Sequence, residues 1–264
     1  MIERASEASG ARREREFAAR YGELTEWHWW FRARARILSS VISRELGAVN
    51  GPRTFASLGS GPPPAFAWLV PHVGEGGLVV GVDGDPTGAL RAAPPRPLAK
   101  TAFAFAAAGS PALAERAFDA ALALDVIEHL DDDAGALAAA SRLVKPGGLL
   151  LVTVPAGPSL WGQQDVVTGH KRRYTKASLA DAFLRAGLAR PRLAFFNAFL
   201  FPPIAAMRWT RRAIPSKEPQ SDFDENRPGL VNDLLAGIFS SERHLVGRVP
   251  LPFGVSLLGL SKIP

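Results

Sequence analysis

The sequence predicts an α/β fold organised on a mostly parallel sheet, and three observations carry that expectation. Short apolar runs ended by glycine or aspartate alternate with helix-like segments between residues 54 and 154. Residues 120–124 contain no polar side chain, which marks a strand buried on both faces. Hydrophobic residues make up 47% of the 264 positions, enough to fill the core of one globular domain.

Each element follows in order. Residues 1–22 are rich in Ala, Arg and Glu, with only Phe17 and Tyr21 to anchor them, and are expected as a flexible segment. Over 26–46, Trp27, Trp30, Phe31, Ile37, Leu38, Val41, Ile42 and Leu46 recur near helical spacing and Gly47 is placed to stop the helix. Residues 54–58 read as a strand ended by glycine, 63–70 as a helix, 78–82 as a strand ended by Asp83, and 87–93 as a short helix. Two strand–turn–helix units in succession imply right-handed crossovers and parallel pairing. Further strands are expected at 102–107, 120–124 and, after the turn Lys145-Pro146-Gly147-Gly148, at 149–154. Between the last two, 133–143 has helical composition, with Asp131, Asp132 or Asp133 as its N-cap. A helix over 174–186 capped by Thr175 and a strand over 193–196 come next. The apolar stretch 195–209 is broken by Pro202 and Pro203, and 216–228 reads as a mobile polar loop. A helix over 230–245 and a strand over 253–260 complete the chain. The organisation expected is a single domain over 23–264, with a helical cover (23–50), a ligand-binding core (51–190) and C-terminal strands with a cap on the acceptor side (191–264).

Composition removes several classes. The net charge of +6 comes from arginines gathered near the start (Arg12, Arg13, Arg15, Arg20, Arg32, Arg34, Arg36) and near Arg208, Arg211 and Arg212. Interleaved Glu14, Glu16 and Glu23 make these solvated helix faces, and no nucleic-acid-binding module accompanies them. With no cysteine there is no disulfide framework and no thiolate nucleophile or ligand. The first residues lack the apolar core of a signal peptide, and no run approaches the roughly 18 apolar residues of a membrane span. A cytoplasmic location is the expectation that fits.

Chemistry begins at Leu58-Gly59-Ser60-Gly61, where a glycine turn between strand and helix lets the backbone approach a ligand beside unpaired helix N–H groups. Asp83 ends the next strand, 24 positions after Gly59, where a carboxylate can accept hydrogen bonds from both hydroxyls of a ribose. In this order the two features point to a nucleoside site.

Over residues 27–190 the chain resembles the class I methyltransferases that use S-adenosylmethionine. The resemblance is carried by the glycine-rich segment 56–63, by GVDGDP around Asp83 and Gly84, by FDAALALDVIEHLDDD at 118–133 and by LVKPGGLLLVTVP at 143–155. HWWFRARARIL at 28–38 and LWGQQDVVTGHKRRYT at 160–175 are similar to a bacterial methyltransferase-type-11-like subgroup. The resemblance implies a Rossmann-like, doubly wound, mostly parallel seven-stranded sheet and S-adenosyl-L-methionine as cofactor, with S-adenosyl-L-homocysteine as product. It places Gly59, Ser60, Gly61, Asp83, Gly84, Gly109, Asp125 and Val126 around the cofactor, with Trp30 and Arg34 on a covering helix. The glycine-rich motif is degenerate: Ser57 and Gly109 stand where the family usually has acidic residues, and Pro63 where it has a third glycine.

Methyl transfer needs alignment and exclusion of water, and it requires neither a metal nor a covalent intermediate. For a hydroxyl acceptor a base helps; His170 is the leading candidate and His129 the second, against a packing or turn-stabilising role for each. Glu128 is read as an orienting or capping carboxylate. Trp161, Arg173 and Tyr174 are candidates for the acceptor, a small molecule of apolar or anionic character. The stretch 195–209 reads as a domain cap, with a lipid-linked acceptor and peripheral membrane contact as its alternatives. Cyclisation or another non-methylating reaction, and a silent binding protein, stand as rival functions.

Overall fold

The computed structural model describes residues 23–84, 99–213 and 221–264. Its centre is a seven-stranded sheet of β1 (Thr54–Leu58), β2 (Leu78–Asp83), β3 (Thr101–Phe105), β4 (Phe118–Leu124), β5 (Val144–Pro155), β6 (Arg192–Phe196) and β7 (Ser256–Lys262). The spatial order is β3-β2-β1-β4-β5-β7-β6. The pairings among β1 to β5 are parallel, whereas β7 is antiparallel to both β5 and β6. This is the Rossmann-like, mostly parallel architecture expected.

Alternation along each central strand divides the core into two layers. Phe55, Val79, Leu122, Leu151 and Leu258 face one side, where α1 (Trp29–Leu46) contributes Ala33, Ile37 and Val41, and α7 (Leu230–Ser241) contributes Ala236 and Phe239. Ala56, Val80, Ala121, Val152 and Leu257 face the other. There α3 (Asp133–Leu143) and α5 (Lys176–Arg185) bring Leu137, Ala140, Leu179 and Phe183. Both faces are therefore covered, as a parallel sheet requires. Each fully buried Leu or Phe contributes about 2 kcal/mol.

The cover helix is fastened from the far end of the chain. Asn232 on α7 accepts a hydrogen bond from Trp29 N (2.8 Å) and donates one to the Trp27 carbonyl (2.9 Å). His28 interrupts the helix expected over 26–46: its backbone is extended (φ −68°, ψ 133°) and its side chain accepts from Trp30 N as the N-cap of α1. Residues 23–27 form a separate helical turn.

Other expectations shift. The helix over 63–70 divides into α2 (Pro63–Phe66) and a 3₁₀ segment, Ala67–His72. Residues 145–148 do not stand outside the sheet; β5 starts at Val144, and the register jumps between the Phe118 and Ala120 pairings to absorb them. Pro202 and Pro203 do not break the 195–209 stretch, because both fall in the first turn of α6 (Phe201–Ala213), where missing N–H groups cost nothing. Asp222–Glu225 is a 3₁₀ turn rather than part of a loop. The last strand begins at Ser256 instead of 253. The expected segment 1–22 and the short helix over 87–93 lie outside the described residues. Among those described, no helix is long and apolar enough to cross a membrane.

Candidate active site

A cleft of about 560 Å³ opens at the carboxyl ends of β1, β2, β4 and β5. The sheet order reverses at β1, whose neighbours are β2 on one side and β4 on the other, so the cleft lies where open α/β sheets bind ligands.

The glycine turn after β1 forms its first wall. Gly59 and Gly61 adopt φ of 55° and 63°, and a Cβ on Gly59 would meet a Val126 methyl at 2.6 Å. Ser60 N donates to the Val82 carbonyl (3.1 Å) and Gly61 N to Asp83 Oδ2 (2.8 Å), so the end of β2 holds the turn. Gly59, Gly61, Asp83, Asp125 and Val126 line the cleft. Ser60 is buried behind it with its hydroxyl on the Gly61 carbonyl. Gly84 is exposed beside the strand end, and Gly109 sits behind the lining residue Leu130; neither lines the cleft.

The covering helix supplies Trp30 and Arg34. The Arg34 guanidinium lies 4.7 Å from the centre of the Trp30 ring and is ion-paired with Asp125, which holds φ at 57° directly after β4. Arg34 thus has a carboxylate of its own.

His129 and His170 meet edge to face, ring centres 4.8 Å apart, and both line the cleft. Burial, reinforced by His170, lowers His129 to about 4, so its ring is neutral at pH 7. His170 Nδ1 faces Asp165 Oδ1 at 2.8 Å. Asp165, on α4 (Gln163–Val167), also accepts from Arg173 Nε (2.8 Å), Gly162 N (2.8 Å) and Arg208 Nη1 (3.4 Å). Burial pushes its carboxyl up, yet the hydrogen bond to His170 and the Arg173 and Arg208 charges prevail and hold it at about 2. Arg173 shows the cost of the same burial: desolvation and Arg208 lower its guanidinium.

Beside these groups, Glu128 is fully buried, and neither side-chain oxygen has a hydrogen-bond partner among the described residues. Burial, then the Asp125 charge, raises its carboxyl well above the usual range.

The acceptor candidates separate. Arg173 lines the cleft but is committed to Asp165 and to the Ala156 carbonyl (2.7 Å), so it is a structural cation rather than an anion receptor. Tyr174 lies away from the cleft; its hydroxyl donates to Asp133 Oδ2 (3.0 Å) in the layer beneath α3. Trp161 borders a smaller cavity of about 240 Å³ with Arg208, Arg211, Arg212 and Asp222. Periodicity and motif position cannot tell these cases from a true lining residue.

The sequence predicts a cap over 195–209 on the acceptor side without singling out its lining residues, and it points to neither Leu235 nor Phe223. Leu200, Ile204, Met207 and Leu235, from α6, α7 and the turn before them, make the cleft apolar on its far side. Asn197, at φ 56°, presents a buried amide whose nitrogen and oxygen lack partners among the described residues. Phe223 packs on Phe31 (5.2 Å) and Trp30 (5.7 Å), and the turn carrying it is tied down by Gln164, which accepts from Ser221 Oγ and Asp222 N at 2.8 Å each. Only the aromatic character of Phe223 within a polar stretch could have signalled it.

A family model described as a methyltransferase domain matches residues 27–190, more than half of the chain. The chain belongs to this methyltransferase family. Its fold recurs in solved structures at low sequence identity. One is a chain of the complex built around the Haloferax volcanii Trm112 methyltransferase activator (TM-score 0.61, 18% identity, covering 94% of this methyltransferase and 96% of that chain). Another is Haemonchus contortus phosphoethanolamine N-methyltransferase 2 in complex with S-adenosyl-L-methionine (0.56, 17%, covering 86% and 52%). A third is the [4+2]-cyclase SpnF (0.51, 15%, covering 95% and 94%). No curated protein sequence matches the methyltransferase.

Proposed function

We propose that this methyltransferase binds S-adenosyl-L-methionine along the β1, β2 and β4 ends and methylates a small, largely apolar acceptor held against α6 and α7. The observation that carries the reading is the glycine turn locked by Asp83 at the point where the strand order reverses, facing Trp30 across one continuous cleft. Backbone N–H groups and the Asp83 carboxylate suit a ribose and a methionine tail, and the Trp30 ring suits a cationic or planar group. When bound, the cofactor supplies a methyl group activated by its sulfonium and departs as S-adenosyl-L-homocysteine.

The protein's own contribution is positioning. Leu200, Ile204, Met207 and Phe223 exclude water from the acceptor end, and the Asn197 amide offers a donor and an acceptor. The acceptor's reacting group lies at the His129–His170 pair. A lipid-linked acceptor at the membrane surface fits the same chamber, since Leu230, Val231 and Leu234 stand exposed on the helix that carries Leu235. Non-methylating chemistry is the second reading. It is favoured by Ser57 and Gly109, which stand where the resembled family usually has acidic residues.

Calorimetry with S-adenosylmethionine and S-adenosylhomocysteine, with NAD as a control, tests the site. Micromolar binding of the first two, at least tenfold weaker in Asp83→Ala, is expected. No binding up to about millimolar, a free energy weaker than roughly −4 kcal/mol, overturns the cofactor assignment. A product one methyl heavier then separates methylation from cyclisation.

A further inference from the structure

We propose that Glu128, His129 and His170 bind a divalent transition-metal cation at the polar end of the cleft, with its remaining coordination positions open to the acceptor. Each of the three offers one ligand atom within 4.8 Å of the others. His170 Nε2 stands 3.9 Å from Glu128 Oε1. Ligand atoms on one such cation, each at roughly 2.1 Å, lie about 3 to 3.5 Å apart, so small side-chain rotations close the site.

The independent observation is the buried carboxylate. Among the described residues both side-chain oxygens of Glu128 lack a hydrogen-bond partner, in an interior where an unpartnered carboxyl is costly to place. The neighbouring guanidinium groups make no hydrogen bond to it, because Arg34 is held by Asp125 and Arg173 by Asp165. A cation bound by the Glu128 carboxylate and two imidazoles would displace the carboxyl proton and supply the missing contacts.

The surrounding groups orient the ligands for that purpose. Asp165 on His170 Nδ1 selects the tautomer whose Nε2 lone pair faces Glu128, the carboxylate–histidine–metal arrangement. The two loops are joined by Lys171 N donating to the Glu128 carbonyl at 2.9 Å. Glu128 and His129 share the 3₁₀ turn Ile127–His129 that directly follows β4, so the site is built on the sheet.

Two imidazoles and one carboxylate favour Zn²⁺, Fe²⁺, Co²⁺ or Mn²⁺ over Mg²⁺ or Ca²⁺. Glu128 lies behind the histidines, which both line the cleft, so the exposed face of the cation meets the acceptor. A hydroxyl acceptor bound there breaks its O–H bond at neutral pH, releasing the proton to solvent and keeping the electron pair on oxygen. In this form His170 is a ligand and the cation, rather than an imidazole, activates the oxygen. That last step rests on the methyltransferase reading, whereas cation binding does not.

The full chain, dialysed against a chelator, is titrated with Zn²⁺ by calorimetry and with Co²⁺ by visible absorption, in the absence of S-adenosylmethionine. We expect one cation per chain with micromolar or tighter affinity and Co²⁺ bands of a nitrogen–oxygen site. The isosteric Glu128→Gln and the His170→Ala variants should weaken binding by at least about 100-fold, and the exposed His244→Ala should leave it unchanged. Thermal melts of each variant verify folding, and Glu128→Gln keeps the test decisive if His170→Ala does not fold. No binding up to millimolar Zn²⁺, or binding that survives Glu128→Gln, overturns the site. Zn²⁺ binding without S-adenosylmethionine binding would sink the methyltransferase reading alone, and the reverse would sink only the metal site.

Discussion

Asp165 Oδ1 lies 2.8 Å from His170 Nδ1, and through its second oxygen the same buried carboxylate reaches Gly162 N and Arg208. One side chain thus fixes an imidazole in the cleft, caps the short helix α4 and balances two buried guanidinium groups. Replacing it by asparagine keeps the shape but leaves Arg173 and Arg208 with less negative charge around them. Breaking a buried ion cluster in this way costs about 3 kcal/mol or more. Because burial lowers Arg173 even in the native protein, the net worth of the cluster is smaller than the cost of breaking it. For a chain of this size Asp165→Asn should melt roughly 6 to 12 °C below wild type. An unchanged melting temperature would mean that the arginines are satisfied elsewhere.

Gly59 cannot take a side chain without two penalties. Its φ of 55° costs an L-residue about 1 to 2 kcal/mol, and the added Cβ would stand 2.6 Å from a Val126 methyl. Gly59→Ala should therefore lower stability by about 2 kcal/mol or more and weaken S-adenosylmethionine by at least tenfold, as the turn moves away from Asp83. Chemical denaturation and calorimetry on the same sample check both. Unaltered cofactor affinity would show that the turn does not touch the ligand.

His28 makes acid stability measurable. Burial against Phe31 and Phe223 lowers its pKa from 6.5 to about 4, so the fold holds it neutral while the unfolded chain binds a proton. Where the unfolded state binds more protons, stability rises with pH. The contribution of His28 is therefore complete above about 6.5 and is lost as pH falls towards 4, in total about 2 to 3 kcal/mol. Asparagine retains an N-cap acceptor for Trp30 N without titrating in this range. The stability difference between pH 7 and pH 4.5, measured by urea unfolding, should shrink in His28→Asn by about 2 kcal/mol. An equal difference in both proteins would refute the buried neutral ring.

The sheet was legible in advance because its cause is local. Strands such as 54–58, 78–82 and 120–124 announce themselves by apolar runs ended by glycine or aspartate, and the helix 133–143 by its composition and aspartate cap. Misplaced boundaries had longer-range causes. His28 ends a helix that its neighbours favour because Asn232, some two hundred residues away, binds the backbone on either side of it. Residues 145–148 enter β5 because pairing with β4 absorbs them.

For the site, the sequence alone determined the glycine turn, Asp83, the strand-end Asp125 and His129 as residues of one region, since in a parallel sheet strand ends converge on one edge, whereas only the fold brings the loop residue His170 against His129. What each side chain does there was decided by the tertiary structure. Arg34 and Arg173 look like free cations until Asp125 and Asp165 are seen against them, and Tyr174 looks like a ligand contact until its hydroxyl is seen donating a hydrogen bond to Asp133. Glu128 reads as an orienting or capping carboxylate in the chain, and only packing shows that it is buried beside two imidazoles without a hydrogen-bond partner among the described residues. Burial and charge balance are properties of the space around a side chain, filled by residues from 34 to 223, and a one-dimensional pattern does not contain them.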